Sequence, residues 1–197
     1  MKTITKDILK VAKFAHNDKN YPRPILEGVH ITNDVIVSTN SHSLLEVKRD
    51  KAPKSEDFPI IPSQEIKPLK ELEAPLLIEA KQLLQNLKLK TSKLSILETA
   101  QLANLTDQTV NLVTTDLESC QNNAYRLIKG EYPDYTKIMP ENLDNHTRVV
   151  VSTKYLKQMA EAFKDFDDVE IYVDTDRKKP VVFVKDNYTG LIMPINR

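Results

Sequence analysis

Thr5-Lys6-Asp7-Ile8-Leu9-Lys10-Val11-Ala12-Lys13-Phe14-Ala15 lies in register over Thr153-Lys154-Tyr155-Leu156-Lys157-Gln158-Met159-Ala160-Glu161-Ala162-Phe163. At about 100° per residue, Ile8, Val11, Ala12 and Ala15 share one side of a helix, and Leu156, Met159, Ala160 and Phe163 share the equivalent side of another. The side away from each apolar stripe carries lysines: Lys6, Lys10 and Lys13 in the first, Lys154, Lys157 and Lys164 in the second, the latter interrupted by Glu161. Thr5 and Ser152 or Thr153 stand where an N-cap oxygen would accept from unpaired first-turn amides. Each helix is followed by strand-type sequence, Ile25–Asn33 and Val35–Ser38 after the first, Val169–Asp174 and Pro180–Lys185 after the second. The repeated unit is therefore a helix followed by strands, and the predicted class is α+β with much antiparallel sheet.

A third copy of the unit is expected to start at Ile60-Ile61-Pro62-Ser63, with Ile66, Leu69 and Leu72 at helical spacing and Pro68 limiting the helix. Leu76–Ala80, Leu87–Lys90, Leu94–Glu98, Thr109–Thr115 and Asn123–Ile128 read as short strands between Asn, Asp, Thr and Ser turns. With 197 residues, 40% of them apolar, the chain can bury a core without covalent staples. One cysteine, Cys120, allows no internal disulfide, and no apolar targeting or membrane segment is visible, so the expected compartment is the cytoplasm. A formal net charge of zero argues against nucleic-acid binding by bulk electrostatics and leaves that task to a segregated basic face. With only three glycines there is no glycine-rich loop to cradle phosphates.

Three further segments carry a resemblance. They are Arg23-Pro24-Ile25-Leu26-Glu27-Gly28-Val29 with Thr39-Asn40-Ser41-His42-Ser43-Leu44, then Gly130-Glu131-Tyr132-Pro133-Asp134-Tyr135, then Gly190-Leu191-Ile192-Met193-Pro194-Ile195-Asn196-Arg197. In this order they resemble the bacterial DNA polymerase III beta subunit, the sliding clamp. The resemblance implies the DNA-clamp fold with fewer repeated units than a full-length clamp. Residues 1–140 resemble the clamp's second domain, 141–147 form a linker, and 148–197 resemble the C-terminal half of its third domain. The clamp's first domain has no counterpart, and 75–120 matches poorly.

The same resemblance implies a peptide-binding pocket, carried over residue by residue: Leu26, Thr39, Ser41, His42, Leu44, Pro133, Lys137, Ile138, Leu191, Met193, Pro194 and Ile195. As chemistry the set is coherent, because aliphatic and thioether groups give adaptable apolar surface while His42 and Thr39 orient a ligand. Asn40 and Ser43 stand where the family has Asp and Arg, and Asn196-Arg197 replaces its basic-then-leucine terminus; Lys137 keeps the family's charge. The family's ring, with its helices facing DNA, gives Lys6, Lys10, Lys13, Lys154, Lys157 and Lys164 a DNA-binding role, although lysines also occupy the solvated side of any amphipathic helix.

The acids Asp165, Asp167, Asp168, Asp174 and Asp176 could be taken for a divalent-metal site, but their spacing suits solvated loops. His16, His30, His42 and His146 lack metal-ligand spacing, and Cys120 has no sequence partner for nucleophilic work. No metal, cofactor or enzymatic activity is expected. Two functions follow. One is a processivity factor in DNA replication that surrounds duplex DNA and tethers a polymerase, or another protein carrying a clamp-binding peptide. The other is a non-ring decoy or adaptor of phage or mobile-element type that binds such peptides, or a host clamp, without encircling DNA. Self-association belongs to the first.

Overall fold

The computed structural model describes residues 2–20, 22–49, 66–88, 95–140, 142–144 and 146–195. It comprises two compact units, Met1–Asp134 and Tyr135–Arg197.

The first unit is one module used twice. A strand, a helix and three strands, β1 (Lys2–Ile4), α1 (Thr5–Ala12), β2 (Gly28–Ile31), β3 (Val35–Thr39) and β4 (Leu44–Lys48), are followed by the same order in β5 (Leu76–Glu79), α2 (Ala80–Asn86), β6 (Thr99–Ala103), β7 (Thr109–Thr115) and β8 (Cys120–Arg126). The leading strands are exchanged. β5 joins the first module's sheet, in the order β4-β3-β2-β5, and β1 joins the second's, in the order β1-β6-β7-β8. Both exchanged strands pair antiparallel with the first strand after the other module's helix: Val29 lies opposite Ile78, and Thr3 opposite Ala100. One hydrophobic core then serves both sheets and both helices. It holds Ile8, Val11 and Ala12 of α1, Ala80 and Leu83 of α2, and Val29, Ile31, Ile78, Leu102, Leu112 and Tyr125 from the sheets. Each such aliphatic side chain contributes about 1.5–3 kcal/mol by leaving water. Gly28 makes room for close packing: a β-carbon there would stand 2.5 Å from Leu77 Cδ1, which would have to shift.

This arrangement corrects the expected third helix. Residues 66–72 are not helical: Pro68 bridges to Ala103, the Leu69 amide donates to Leu102 O at 2.9 Å, and Asn33 clasps Leu72 through both amide atoms, at 2.9 and 3.0 Å. Proline and the Asn33 clasp together hold the segment extended along β6. The second module's helix is instead α2, whose Ala80, Leu83 and the following Leu87 fall at i, i+3 and i+7. Leu87 and Lys88 are therefore not a strand, and Ser95–Glu98, taken as part of a strand, is a 3-10 turn leading into β6. Residues 60–63, 89–90 and 94, and those at 141, 145, 196 and 197 of the predicted linker and terminus, lie outside the described residues.

The second unit is a single, incomplete module. α3 (Thr153–Ala162) precedes β9 (Glu170–Tyr172), β10 (Val181–Lys185) and β11 (Tyr188–Ile192), which form a three-stranded antiparallel sheet in the order β11-β10-β9. Its buried core is Phe163, Val181, Phe183 and Ile192, with Val149, Val151, Met159, Phe166 and Val169 packed against it. α3 crosses the sheet over Gly190, where a β-carbon would lie 2.4 Å from Met159 Sδ. Among the described residues the expected caps are not made in either repeat: the Thr5 hydroxyl is buried with no hydrogen-bond partner among them, and Ser152 occupies the N-cap of α3 without a side-chain bond.

Candidate functional site

The predicted pocket residues divide between the two units. In the first unit, Leu26 sits in a 3-10 turn, Pro24–Glu27, that begins on proline as the missing proline amide favours. The Leu26 amide donates to Arg23 O at 2.8 Å and its carbonyl accepts from the His16 amide at 2.9 Å, so the segment following α1 is joined to this turn. Thr39, Ser41 and His42 form the β3–β4 hairpin connection. Asn40 Oδ1 accepts from the His42 and Ser43 amides at 3.0 and 2.8 Å, Thr39 Oγ1 donates to Ser43 O at 2.8 Å, and Ser41 adopts a left-handed φ of 80°. Asn40 thus earns its place by shaping the turn, and His42 projects exposed from it. Leu44, half-buried, opens β4.

Two contacts draw the separate segments together. Arg23 Nη1 donates to Ser41 Oγ, joining the Leu26 turn to the hairpin. Tyr132 stacks on His30 with ring centroids 4.6 Å apart and planes 3° from parallel, and Ser38 and Thr39 stand beside its hydroxyl. Burial raises the Tyr132 phenol above its ordinary value, an effect those two neighbours oppose. Leu26, the hairpin and the segment carrying Pro133 are thereby gathered at one end of the β4-β3-β2-β5 sheet.

The His30 ring has a further consequence. Burial pushes its pKa below the ordinary 6.5. Because the folded value is depressed, the unfolded chain binds the proton first as pH falls, so the contribution is complete above about 6.5 and declines below it. Stability measured by urea titration is expected to fall between neutral pH and the acid side of 6.5, and a His30→Asn variant to show a flatter profile over that window. Identical profiles would remove His30 as the origin.

In the second unit, Lys137 and Ile138 occupy the 3-10 turn Tyr135–Ile138, with Ile138 75% exposed. The Ile195 amide donates to Val150 O at 2.7 Å, anchoring the segment that carries Pro194 and Ile195. Leu191 and Met193, each more than half exposed, open onto a groove of about 380 Å³ whose other wall is α3: Tyr155, Gln158, Met159 and Ala162. The structure therefore brings Leu191 and Met193 together in one apolar groove, whereas Ile138, Pro194 and Ile195 do not line it. The α3 wall was not foreseen as site, because Met159 falls on the stripe read as core; the i, i+3, i+4, i+7 spacing of 155, 158, 159 and 162 was the available signal.

The lysine faces are also present, each within its own unit. Lys6 and Lys10 are exposed on α1 opposite the buried Ile8, Val11 and Ala12, and Lys13 is exposed in the turn just past its end. Lys154 and Lys157 are exposed on α3, whereas Lys164 is exposed in the turn beyond its end, 3.7 Å from Glu161; Lys154 Nζ lies 6.0 Å from the centre of the Tyr155 ring. Two of the acids considered for metal binding are otherwise engaged. Asp168 pairs with Lys185, and Asp174 accepts from the Asp176 amide at 2.8 Å and Lys179 Nζ at 2.9 Å, which hold its carboxyl below the usual range. Among the described residues no group of three His, Cys, Asp or Glu side chains is arranged to hold a metal ion, and no helix is long and apolar enough to cross a membrane.

No family model matches the chain, and no curated protein does. Solved structures do. The DNA polymerase III beta chain of Streptococcus pneumoniae TIGR4 matches all of this chain over 49% of its own, with 19% identity and a TM-score of 0.63. The polymerase sliding clamp of Bacillus subtilis matches 98% of this chain over 48% of its own, with 17% identity and a TM-score of 0.62. A Helicobacter pylori beta clamp, bound to a DNA ligase peptide, matches 97% over 47% of its own, with 14% identity and a TM-score of 0.57. The chain spans about half the length of these clamps. With its exchanged-strand modules, antiparallel sheets and this similarity, the chain has the fold of the bacterial DNA polymerase III sliding clamps, built from fewer units.

Proposed function

We propose that this protein is a clamp-like binding protein of DNA replication, not an enzyme, which captures the clamp-binding peptides of polymerases and related proteins and acts as a processivity factor on duplex DNA. The observation that carries this reading is the groove between α3 and β11, where Leu191 and Met193 face Tyr155 and Met159. It offers an extended peptide an apolar trough with a sulfur-containing, adaptable floor. A solved clamp of the same fold, that of Helicobacter pylori, is bound to a DNA ligase peptide. Leu26, Thr39, Ser41, His42, Leu44 and Pro133 of the first unit, and Lys137, Ile138, Pro194 and Ile195 of the second, are each proposed as peptide-binding residues.

The test is a titration with a polymerase-derived clamp-binding peptide. Combined Leu191→Ala and Met193→Ala should weaken binding by roughly tenfold to a hundredfold, as expected when two anchor side chains at the centre of an apolar site are truncated. Folding should be unchanged, because both side chains are exposed. Equal affinity of the double variant and the unmodified chain would refute the site.

A formal net charge of zero favours a second reading, an adaptor or decoy that binds the peptide, or a host clamp, without encircling DNA. Retention on circular duplex DNA that is lost on linearisation would support the processivity role; peptide binding without any such retention would support the adaptor.

A further inference from the structure

We propose that the second unit completes itself by pairing with the second unit of another copy, each lending the strand that the other's sheet lacks. The first unit supplies the template. There the segment immediately before each helix leaves its own module and pairs with the first strand after the partner module's helix, bringing each sheet to four strands. In the second unit the sheet has three strands, and the first strand after the helix, β9, is an edge. The segment immediately before α3 is Arg148-Val149-Val150-Val151, a β-branched run suited to a strand and assigned to none. Its described main-chain bond is the Val150 carbonyl accepting from Ile195, so the edge facing away from Ile195 can accept a ladder, as the edge position of β1 and β5 allows.

The side chains point the same way. Ile8 and Ala12 of α1 are 0% and 2% exposed; both belong to the core that Ala80 and Leu83 of α2 complete, and Ala12 lines a cleft with Ala80, Lys81 and Leu84. Their register equivalents on α3, Leu156 and Ala160, are exposed, Leu156 by 43%. Ile171 lies opposite the buried Phe183, so it faces the side of the sheet that α3 covers, and Val173 follows at the same parity; they are 56% and 44% exposed. The bare flank of α3 and the bare face of β9 are on the side away from the Leu191–Met193 groove. Among the described residues a buried core of four is small for such a unit, which is the situation in which association supplies the missing burial.

Among the described residues both modules of the first unit are spent on each other. A module of matching helix register that still needs a partner is the second unit of another copy. Such pairing is isologous about a two-fold axis: 148–151 of one copy against β9 of the other, and α3 against α3. It is independent of the peptide reading, since it uses the opposite flank of α3.

Sedimentation equilibrium of the full chain over a wide concentration range tests it. The expected result is a reversible monomer–dimer equilibrium. Ala160→Glu and Ile171→Asp, each placing an unpaired carboxylate in the contact, should weaken it by at least about tenfold. Leu191→Ala with Met193→Ala should leave it unchanged. In the unmodified chain, amide hydrogen exchange at Ile171–Val173 should slow as concentration rises, a readout that needs no variant to fold. A single-chain mass at every concentration would overturn the proposal, as would a dimer indifferent to both carboxylates or β9 amides whose exchange ignores concentration.

Discussion

Replacing Lys6, Lys10, Lys154 and Lys157 by glutamate is expected to abolish measurable binding to duplex DNA if the helices meet the phosphate backbone. Each replacement changes the charge by two, so the four take the formal net charge from zero to minus eight. The unmodified chain has no surplus charge with which to hold DNA, so affinity must come from locally presented lysines, and these four are exposed on the helix sides opposite their apolar stripes. Every phosphate contact contributes about 0.9 to the slope of log affinity against log salt, so loss of four lowers that slope by about 3.6. Lys164, beside Glu161, should matter less than Lys157, because a neighbouring carboxylate competes with phosphate. Filter binding at several salt concentrations decides: an unchanged affinity and slope would leave the lysines as ordinary solvated residues and favour the adaptor role.

What the chain spells out and what it conceals follow from local physics. α1 and α3 were legible because each spans two turns or more with a lysine side and an apolar stripe, and β7 because its register runs unbroken from Thr109 to Thr115. α2 was hidden: its apolar positions are few, its seven residues make barely two turns, and Leu76-Leu77-Ile78 just before it is strand-like. β6 is buried at every position, so the alternation that marks a half-solvated strand is absent. β1, only three residues long, acquires its meaning from a partner far along the chain, and no local pattern records an exchange of strands. The candidate site divides similarly. Leu191 and Met193 belong to a recognisable segment, while Met159 of the helical wall they face falls on the stripe that reads as core, because a stripe gives no sign of where the sheet beneath it stops.

The repeat itself can be put to a quantitative test, because its two helices place equivalent residues in unequal surroundings. Ile8 is fully buried in the core that also holds Leu83, Ile31 and Ile78, and truncation to alanine should cost about 2–5 kcal/mol through lost burial and a residual cavity. Against a typical total of about 5–15 kcal/mol this is a large fraction of the first unit's stability. Leu156, its register equivalent, already faces solvent over 43% of its surface, so Leu156→Ala should cost no more than about 1 kcal/mol when copies are kept apart by dilution. Amide exchange separates the effects by place: Ile8→Ala should speed exchange in β2, β6 and β7, all of which share the core with α1, and leave β10 unaffected. Equal costs at the two positions under dilution would mean that Leu156 is as well covered as Ile8, against the difference in their exposure. Unequal costs that converge at high protein concentration, through a rise in the cost of Leu156→Ala, would mean that the second helix gains in association the cover that α2 gives the first.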